Sequence, residues 1–135
     1  MKKEINTRND VEAIVSSFYA KVRVDETLGP IFNRVITDWD LHLEHLTNFW
    51  NMNLFGVKDY SGDPISAHQH VDEQTPGGIT PYHFGTWLNL WFETIDASYE
   101  GDIADIMKRR ARKMQTPLMI SIFEHRNKTK ENPAK

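Results

Sequence analysis

The sequence predicts a single all-α domain, and three observations support this prediction. Apolar residues recur every three or four positions along most of the chain, as on one face of a helix. Glycine and proline concentrate where these periodic segments stop, and no segment shows the strict alternation of a strand. The 135 residues suffice for one core that buries about two-thirds of the unfolded surface. We expect this domain to cover residues 1–127 and a disordered tail to cover 128–135.

The first helix is predicted from a capping signal followed by an apolar stripe. Asn9 and Glu12 have the spacing of a capping box. The stripe consists of Val11, Ile14, Val15, Phe18 and Val22. Gly29-Pro30 then interrupts the pattern, so we expect a turn or a single helical turn at that point.

Two further helices are bounded by recognisable end signals. The second is predicted over residues 38–55, with Thr37 as its cap and Gly56 as its end. The third begins at Thr80-Pro81, because proline is favoured at the first helical position. Its buried face comprises Phe84, Trp87, Leu88, Trp91 and Ile95.

A fourth helix is predicted from about Asp102 to His125. Its stripe consists of Ile103, Ile106, Met107, Met114, Leu118 and Ile122. The least regular part of the chain lies between Gly56 and Pro81 and contains His68. We expect His68 to lie in a short helical turn or an extended loop.

Composition and charge exclude several classes of function. The net charge of −3, without a long basic block, argues against nucleic acid as a partner. We interpret the basic residues between 108 and 113 as a solvated helix face. The absence of cysteine excludes disulfides, thiolate metal sites and cysteine nucleophiles. No secretory signal or membrane-spanning run is evident, so we expect a cytoplasmic protein without a membrane partner.

The predicted second helix carries a histidine among apolar side chains. At 100° per residue, Leu46 lies about 40° from His42 around the helix, Phe49 about 20° and Trp50 about 80°. One helix can therefore present an imidazole above an apolar surface. A second isolated histidine, His68, follows twenty-six residues downstream. A flat, apolar cofactor that carries iron requires such surroundings.

A series of motifs over residues 10 to 125 supports a more specific interpretation. In chain order they are Phe18-Tyr19 with Val22-Arg23-Val24-Asp25, Leu28-Gly29-Pro30-Ile31-Phe32, Asp38-Trp39-x-x-His42-Leu43-x-x-Leu46-x-x-Phe49-Trp50, Tyr60-Ser61-Gly62-Asp63-Pro64 followed by His68, and Phe84-x-x-Trp87-Leu88. Their order and spacing resemble the group III truncated haemoglobins, a family of bacterial globins. The resemblance implies a truncated globin-like two-over-two helical sandwich around one haem.

The resemblance also implies roles for individual residues. The cofactor would be haem b (iron protoporphyrin IX), bound non-covalently, with His68 as the iron ligand. His70 is the competing candidate because it lies only two residues away. Tyr19 and Trp87 match the residues that face the bound ligand, although from the residues alone Tyr19 reads as a core tyrosine. His42 matches a position that can donate to the ligand, control its entry or swing to solvent.

Contacts to the rest of the haem are predicted from the stripe geometry. They involve Phe32, Leu46, Phe49, Trp50, Val71, Trp91 and Met114. Lys58 and Tyr60 are candidates for the haem propionates, and Lys58 is equally compatible with an ordinary surface charge.

The implied function is the binding of O2, NO, CO or peroxide at a pentacoordinate or exchangeable iron. Tyr19, Trp87 and His42 offer more hydrogen-bond donors than an oxygen carrier needs. This excess favours redox chemistry, such as nitric oxide dioxygenase or peroxidase-like activity, with an unidentified reductase as a possible partner. Reversible oxygen storage or transport is the alternative. A gas sensor is disfavoured because the sequence contains no output domain.

The sequence also contains the ligands of a different metal site. His42-x-x-His45, together with His68-Gln69-His70 and Asp72, has ligands suited to a zinc or di-metal hydrolase. The many aromatic residues around these positions form an apolar slot rather than a wet active site, so the haem interpretation is preferred.

Overall fold

The computed structural model describes residues 1–58 and 60–131, with side chains described up to residue 128. Six α-helices occur in this part of the chain: α1 (Arg8–Val24), α2 (Gly29–Val35), α3 (Trp39–Phe55), α4 (Pro64–Glu73), α5 (Pro81–Ser98) and α6 (Asp102–Glu131). The described residues form no strand, and an isolated bridge pairs Lys3 with Tyr99. The all-α prediction is confirmed. No helix of the described part is both long and apolar enough to cross a membrane.

The start of α1 differs from the predicted capping box. Thr7 is the cap, its hydroxyl accepts the Asp10 N–H, and the Asp10 carboxylate accepts the Thr7 N–H. The predicted Asn9–Glu12 box is therefore wrong by two residues. Asp10 is preferred because it also accepts the Asn6 N–H at 2.9 Å and pairs with Lys3 at 2.6 Å. The hydrogen bond from Lys3 and those from the backbone lower the pKa of Asp10 to about 2.

The next two elements follow the predictions with small shifts. The interruption at Gly29 becomes α2, a helix of seven residues rather than a single turn. The cap of α3 is Asp38 instead of Thr37, because the Asp38 carboxylate accepts the Leu41 N–H at 3.1 Å. Gly56 ends α3 with φ +75°, a left-handed conformation that favours glycine.

The second half of the chain contains more helix than expected. His68 lies within α4, a helix of ten residues capped by Asp63. Helix α5 begins at Pro81 behind its cap Thr80, as predicted. Helix α6 continues to Glu131 and so includes residues 128–131, which had been assigned to the disordered tail. The rest of that predicted tail, residues 132–135, lies outside the described residues.

Two apolar clusters organise the fold. The larger one contains buried side chains from α1, α3, α5 and α6, while α4 contributes none to it. Helix α1 packs on α2, α3 and α5, and α6 packs on both α5 and α4. A smaller cluster joins Ile31, Ile79 and Ile122 to the partly buried Val71 and Phe84. The helix that carries His68 is therefore attached to the edge of the main core.

Candidate functional site

A cavity of about 240 Å³ is enclosed by side chains from all six helices. It is far larger than the roughly 30 Å³ occupied by one water molecule in the liquid. The predicted site residues that line it are Tyr19, Phe32, His42, Leu46, Phe49, Trp50, Tyr60, His68, Val71, Trp87, Trp91 and Met114. Lys58 is exposed beyond the end of α3 and does not line the cavity.

One wall of the cavity is a tightly packed aromatic cluster. Trp91 stacks between Trp50 and Trp87, with ring centroids 5.1 and 5.3 Å apart. Phe18 meets Trp87 and Trp91 edge-on at 4.9 and 4.8 Å. The indole N–H of Trp91 donates to the Met107 carbonyl at 3.5 Å. Because each ring is held by several others, this wall is rigid.

Tyr19 places a protonated phenol at the same wall. Its side chain is buried, and its ring lies edge-on to His42 at a centroid distance of 5.6 Å. Burial raises the pKa of Tyr19, an effect partly offset by a hydrogen bond from Trp87. Since an indole N–H only donates, the phenol oxygen accepts this bond and keeps its own O–H free to donate.

His42 is a neutral imidazole with an unpaired nitrogen. Burial, reinforced by the nearby His45, lowers the pKa of His42 to about 4. Its Nε2 is buried and has no hydrogen-bond partner among the described residues. Buried polar atoms in proteins are nearly always paired, because an unpaired one costs about 1–3 kcal/mol. A polar atom in the cavity would satisfy this nitrogen.

His68 is held with one ring nitrogen free. Its Nδ1 lies 2.7 Å from the Pro64 carbonyl oxygen, an acceptor, so Nδ1 carries the hydrogen and donates it. The other nitrogen, Nε2, then keeps its lone pair, which is the state that a metal ligand requires. Burial also lowers the pKa of His68, which favours the neutral ring. His70 is exposed and does not line the cavity.

The alternative metal site is not assembled. Across residues 1–58 and 60–131, no group of three or more His, Cys, Asp or Glu side chains is arranged to hold a metal ion. Asp72, the carboxylate of that hypothesis, instead pairs with Arg126. The structure therefore contradicts the hydrolase interpretation.

Several residues that line the cavity were not predicted from the sequence. They are Leu28, Ile31, Val35, Ile36, His45, Pro64, Ala67, Ile79, His83, Phe84, Ala111, Gln115 and Leu118. His45 lies 4.7 Å from the Tyr60 ring between centroids. His83 accepts the Thr80 N–H at its Nδ1, 2.9 Å away. The spacing Thr80-x-x-His83 is that of a capping box, and it is the sequence signal that could have placed His83 at the start of α5.

Comparison with known proteins identifies similar chains with the same arrangement of helices. No protein-family model matches. The group 3 truncated haemoglobin ctb of Campylobacter jejuni is 29% identical over 129 residues, which cover 93% of this chain and 98% of that protein. The crystal structure of the group III truncated haemoglobin from the same organism superposes with a TM-score of 0.80, at 29% identity and with the same coverage.

Two more distant solved structures share the fold. The 2/2 haemoglobin from a Synechococcus species, in the cyanomet state and with covalently attached haem, has a TM-score of 0.71 at 22% identity, covering 88% of this chain and 94% of that one. A truncated haemoglobin from Tetrahymena pyriformis has a TM-score of 0.65 at 23% identity, covering 82% and 89%. The two-over-two helical fold predicted from the sequence is thus confirmed. Over nearly its full length, this chain is therefore similar in sequence and in fold to a truncated haemoglobin of group III.

Proposed function

We propose that this chain binds one haem in the cavity, with His68 as its protein ligand to iron. The observation that carries this proposal is the state of His68. Its Nδ1 is bonded to the Pro64 carbonyl, which leaves Nε2 as a neutral donor atom on the wall of an apolar cavity. Iron in globins is held by one such imidazole. The relatives that match this chain are haemoglobins, as their names state.

The cavity wall fits a flat apolar cofactor. Aromatic and aliphatic side chains from α3, α5 and α6 line it, among them Phe49, Trp91 and Met114. The proposed cofactor is haem b held by packing, and a chain without cysteine cannot form thioether bonds to a porphyrin. Tyr60 and His83 lie on the cavity wall as polar groups suited to the propionates, whereas the exposed Lys58 is less well placed.

The side chains at the aromatic wall form the ligand-binding half of the site. Haem iron, when bound, supplies the position at which a diatomic molecule such as O2, NO or CO coordinates. Tyr19 offers its phenol O–H to a ligand with partial negative charge. The single indole N–H of Trp87 is donated to that phenol, so Trp87 would act on the ligand through Tyr19 or by turning its N–H from the phenol to the ligand. His42 contributes a neutral imidazole whose unpaired Nε2 makes it a third candidate partner.

The number of hydrogen-bonding groups favours turnover over delivery. A hydrogen bond to a charged acceptor contributes about 1.5–3 kcal/mol, so several such bonds slow the release of oxygen. The same groups stabilise charge on the outer atom of the ligand, which assists the reduction of O2 or peroxide and the oxidation of NO. We therefore favour redox chemistry, sustained by an electron donor, over reversible storage or transport.

Haem binding is tested by absorbance spectroscopy of the purified protein with added haem. We expect an intense band near 400 nm, lost or greatly weakened in His68→Gly and restored by imidazole. His70→Gly is the matched control and should give the spectrum of the unmodified protein. Loss of haem in His70→Gly with retention in His68→Gly would show that the iron ligand has been assigned to the wrong histidine.

The reaction class is tested by mixing the oxygenated ferrous protein with NO and the ferric protein with peroxide. Fast nitrate formation with enzymatic re-reduction indicates a dioxygenase, and sustained oxidation of a donor by peroxide indicates a peroxidase. Rapid oxygen release without either reaction would instead assign the protein to the oxygen carriers.

A further inference from the structure

Helix α4 carries His68 but has little apolar anchorage. It contributes no side chain to the main core, and several of its residues, including Ile65, Ser66 and Ala67, are exposed. Its apolar contact with the second cluster is made by the partly buried Val71. Its main packing partner is α6. Side-chain contacts between these two helices must therefore determine much of the position of His68.

The strongest of these contacts is an ion pair between the buried Asp72 and the partly exposed Arg126. The Asp72 side chain is only 6% exposed, and its carboxylate accepts two hydrogen bonds from the Arg126 guanidinium, one of them from Nε at 2.9 Å. The carboxylate also accepts the Ile79 N–H at 2.6 Å, and Arg126 donates to the Ile79 carbonyl at 2.6 Å. The pair thus joins α4, α6 and the loop before α5.

The loop is shaped to admit this pair. Gly78 has φ +77°, and a Cβ at this position would collide with the guanidinium of Arg126 and lie 3.0 Å from the Asp72 Oδ1. A residue with a side chain would be strained by its backbone and would displace the ion pair. The absence of a side chain at Gly78 lets the guanidinium reach both the carboxylate and the backbone.

Asp72 lies one helical turn after His68, on the same face of α4. A rotation or slide of α4 that moves the His68 ring must therefore move the Asp72 carboxylate by a similar distance. Such a movement would separate a buried carboxylate from its guanidinium, which is strongly unfavourable because it leaves a buried charge without its partner. The ion pair consequently resists displacement of His68.

We propose that Asp72 and Arg126 are positioning residues for the iron ligand His68. They act through α4 and do not touch the cofactor. This inference rests on the proposed function, in that it requires haem to be bound through His68. It adds the source of the rigidity that a short, peripheral helix needs in order to hold one imidazole in place.

The same two helices provide a matched control. Glu73 follows Asp72 in sequence and His125 precedes Arg126, and the side chains of Glu73 and His125 also make a polar contact between α4 and α6. The Glu73 side chain is 50% exposed, against 6% for Asp72. An exposed pair is screened by water and contributes little, so Glu73→Gln should leave His68 in place.

The test compares a tethered imidazole with a free one in the haem-loaded protein. Asp72→Asn is introduced into two backgrounds: the unmodified chain, and His68→Gly supplied with free imidazole. In each background the rate of haem loss is measured as the transfer of haem to an excess of apomyoglobin. Resonance Raman spectra of the iron–imidazole stretch give a second readout. With His68 present, we expect Asp72→Asn to accelerate haem loss about tenfold or more and to shift the band. With free imidazole, which is not attached to α4, it should change neither.

Three results would overturn the proposal. Equal acceleration by Asp72→Asn in both backgrounds would show that the ion pair only stabilises the fold, and no effect in either would show that it does not hold His68. An effect of Glu73→Gln as large as that of Asp72→Asn would remove the distinction between the pairs.

If Asp72→Asn does not fold, Arg126→Lys, which keeps the charge but loses the paired geometry, should show a weaker form of the same pattern. Failure of the unmodified chain to bind haem would instead refute the proposed function.

Discussion

The two walls of the cavity are built by different kinds of interaction. The wall of Tyr19, Trp87 and Trp91 belongs to the main apolar core and is held by ring-to-ring packing. The wall that carries His68 lies on a short peripheral helix, which joins the second apolar cluster through Val71 and is bonded to α6 by the side chains of Asp72 and Arg126. Apolar packing is spread over many weak contacts, whereas the other wall depends on a few specific bonds.

Because of this difference, substitutions in the two walls should affect different properties of the protein. A substitution in the aromatic wall removes part of the core and should lower the stability of the whole domain. A substitution at the α4 wall should leave the domain folded and alter the way in which the cofactor is held. Substitutions of Trp91, Tyr19 and His42 test the aromatic wall, and Asp72→Asn tests the other.

The largest expected effect on stability is that of Trp91→Ala. Trp91 is 1% exposed and stacks between two other indoles, so its removal leaves a cavity at the centre of the core. We expect the free energy of unfolding, measured with urea on the haem-loaded protein, to fall by about 3–5 kcal/mol. Leu41→Ala, at a side chain that is 63% exposed, is the control and should stay within about 0.5 kcal/mol. A loss below about 1 kcal/mol for Trp91→Ala would contradict the description of this wall as core.

Tyr19→Phe should change ligand release more than stability. It removes one donor to a partly charged ligand, an interaction of about 1.5–3 kcal/mol, while keeping the ring in place. We expect oxygen to leave about tenfold to a hundredfold faster in stopped-flow measurements, and carbon monoxide, a poor acceptor, to be much less affected. Equal acceleration for both ligands would indicate a steric effect and would argue against the hydrogen bond.

The smallest effect at neutral pH is expected for His42→Leu, whose consequence appears only in acid. The pKa of His42 is about 4 in the folded chain, below its ordinary value of 6.5, so the unfolded state binds an extra proton between these values. The contribution of His42 to the free energy of unfolding should therefore be fully present above pH 6.5. As the pH falls from 6.5 to 4, it should decrease by at most about 1.4 kcal/mol per pH unit. Urea unfolding across this range should fall less steeply in His42→Leu. A His70→Leu control with the same reduction would rule out burial of His42 as the cause.

Much of the fold was predictable because it follows from local patterns. The stripes of α1, α3, α5 and α6 indicated four helices, and Gly56 and Pro81 marked two of their ends correctly. The caps of α1 and α3 were misplaced because Asp10 and Asp38 compete with neighbouring candidates, and only the folded backbone decides between them. Helix α4 was missed as a regular element because its apolar residues are too few to show a period.

Residues that share a stripe with other lining residues, such as Phe49 and Trp91, lie on the cavity, while their contact with haem stays a prediction. His45 and His83 reach the cavity only through the packing of the helices, and no local pattern indicates this. Lys58, for which a surface charge was the equal alternative, is exposed. The pairing of Asp72 with Arg126 spans 54 residues of sequence, and no local pattern indicates it.

That sequence separation also bears on the order in which the protein is made. Chain synthesis at about 5–20 residues per second places Arg126 roughly three to eleven seconds behind Asp72. The nascent chain therefore contains His68 and the residues of α1 and α3 before the partner that restrains α4 has been synthesised. On the proposed function, haem captured during that interval would meet His68 before Arg126 restrains α4.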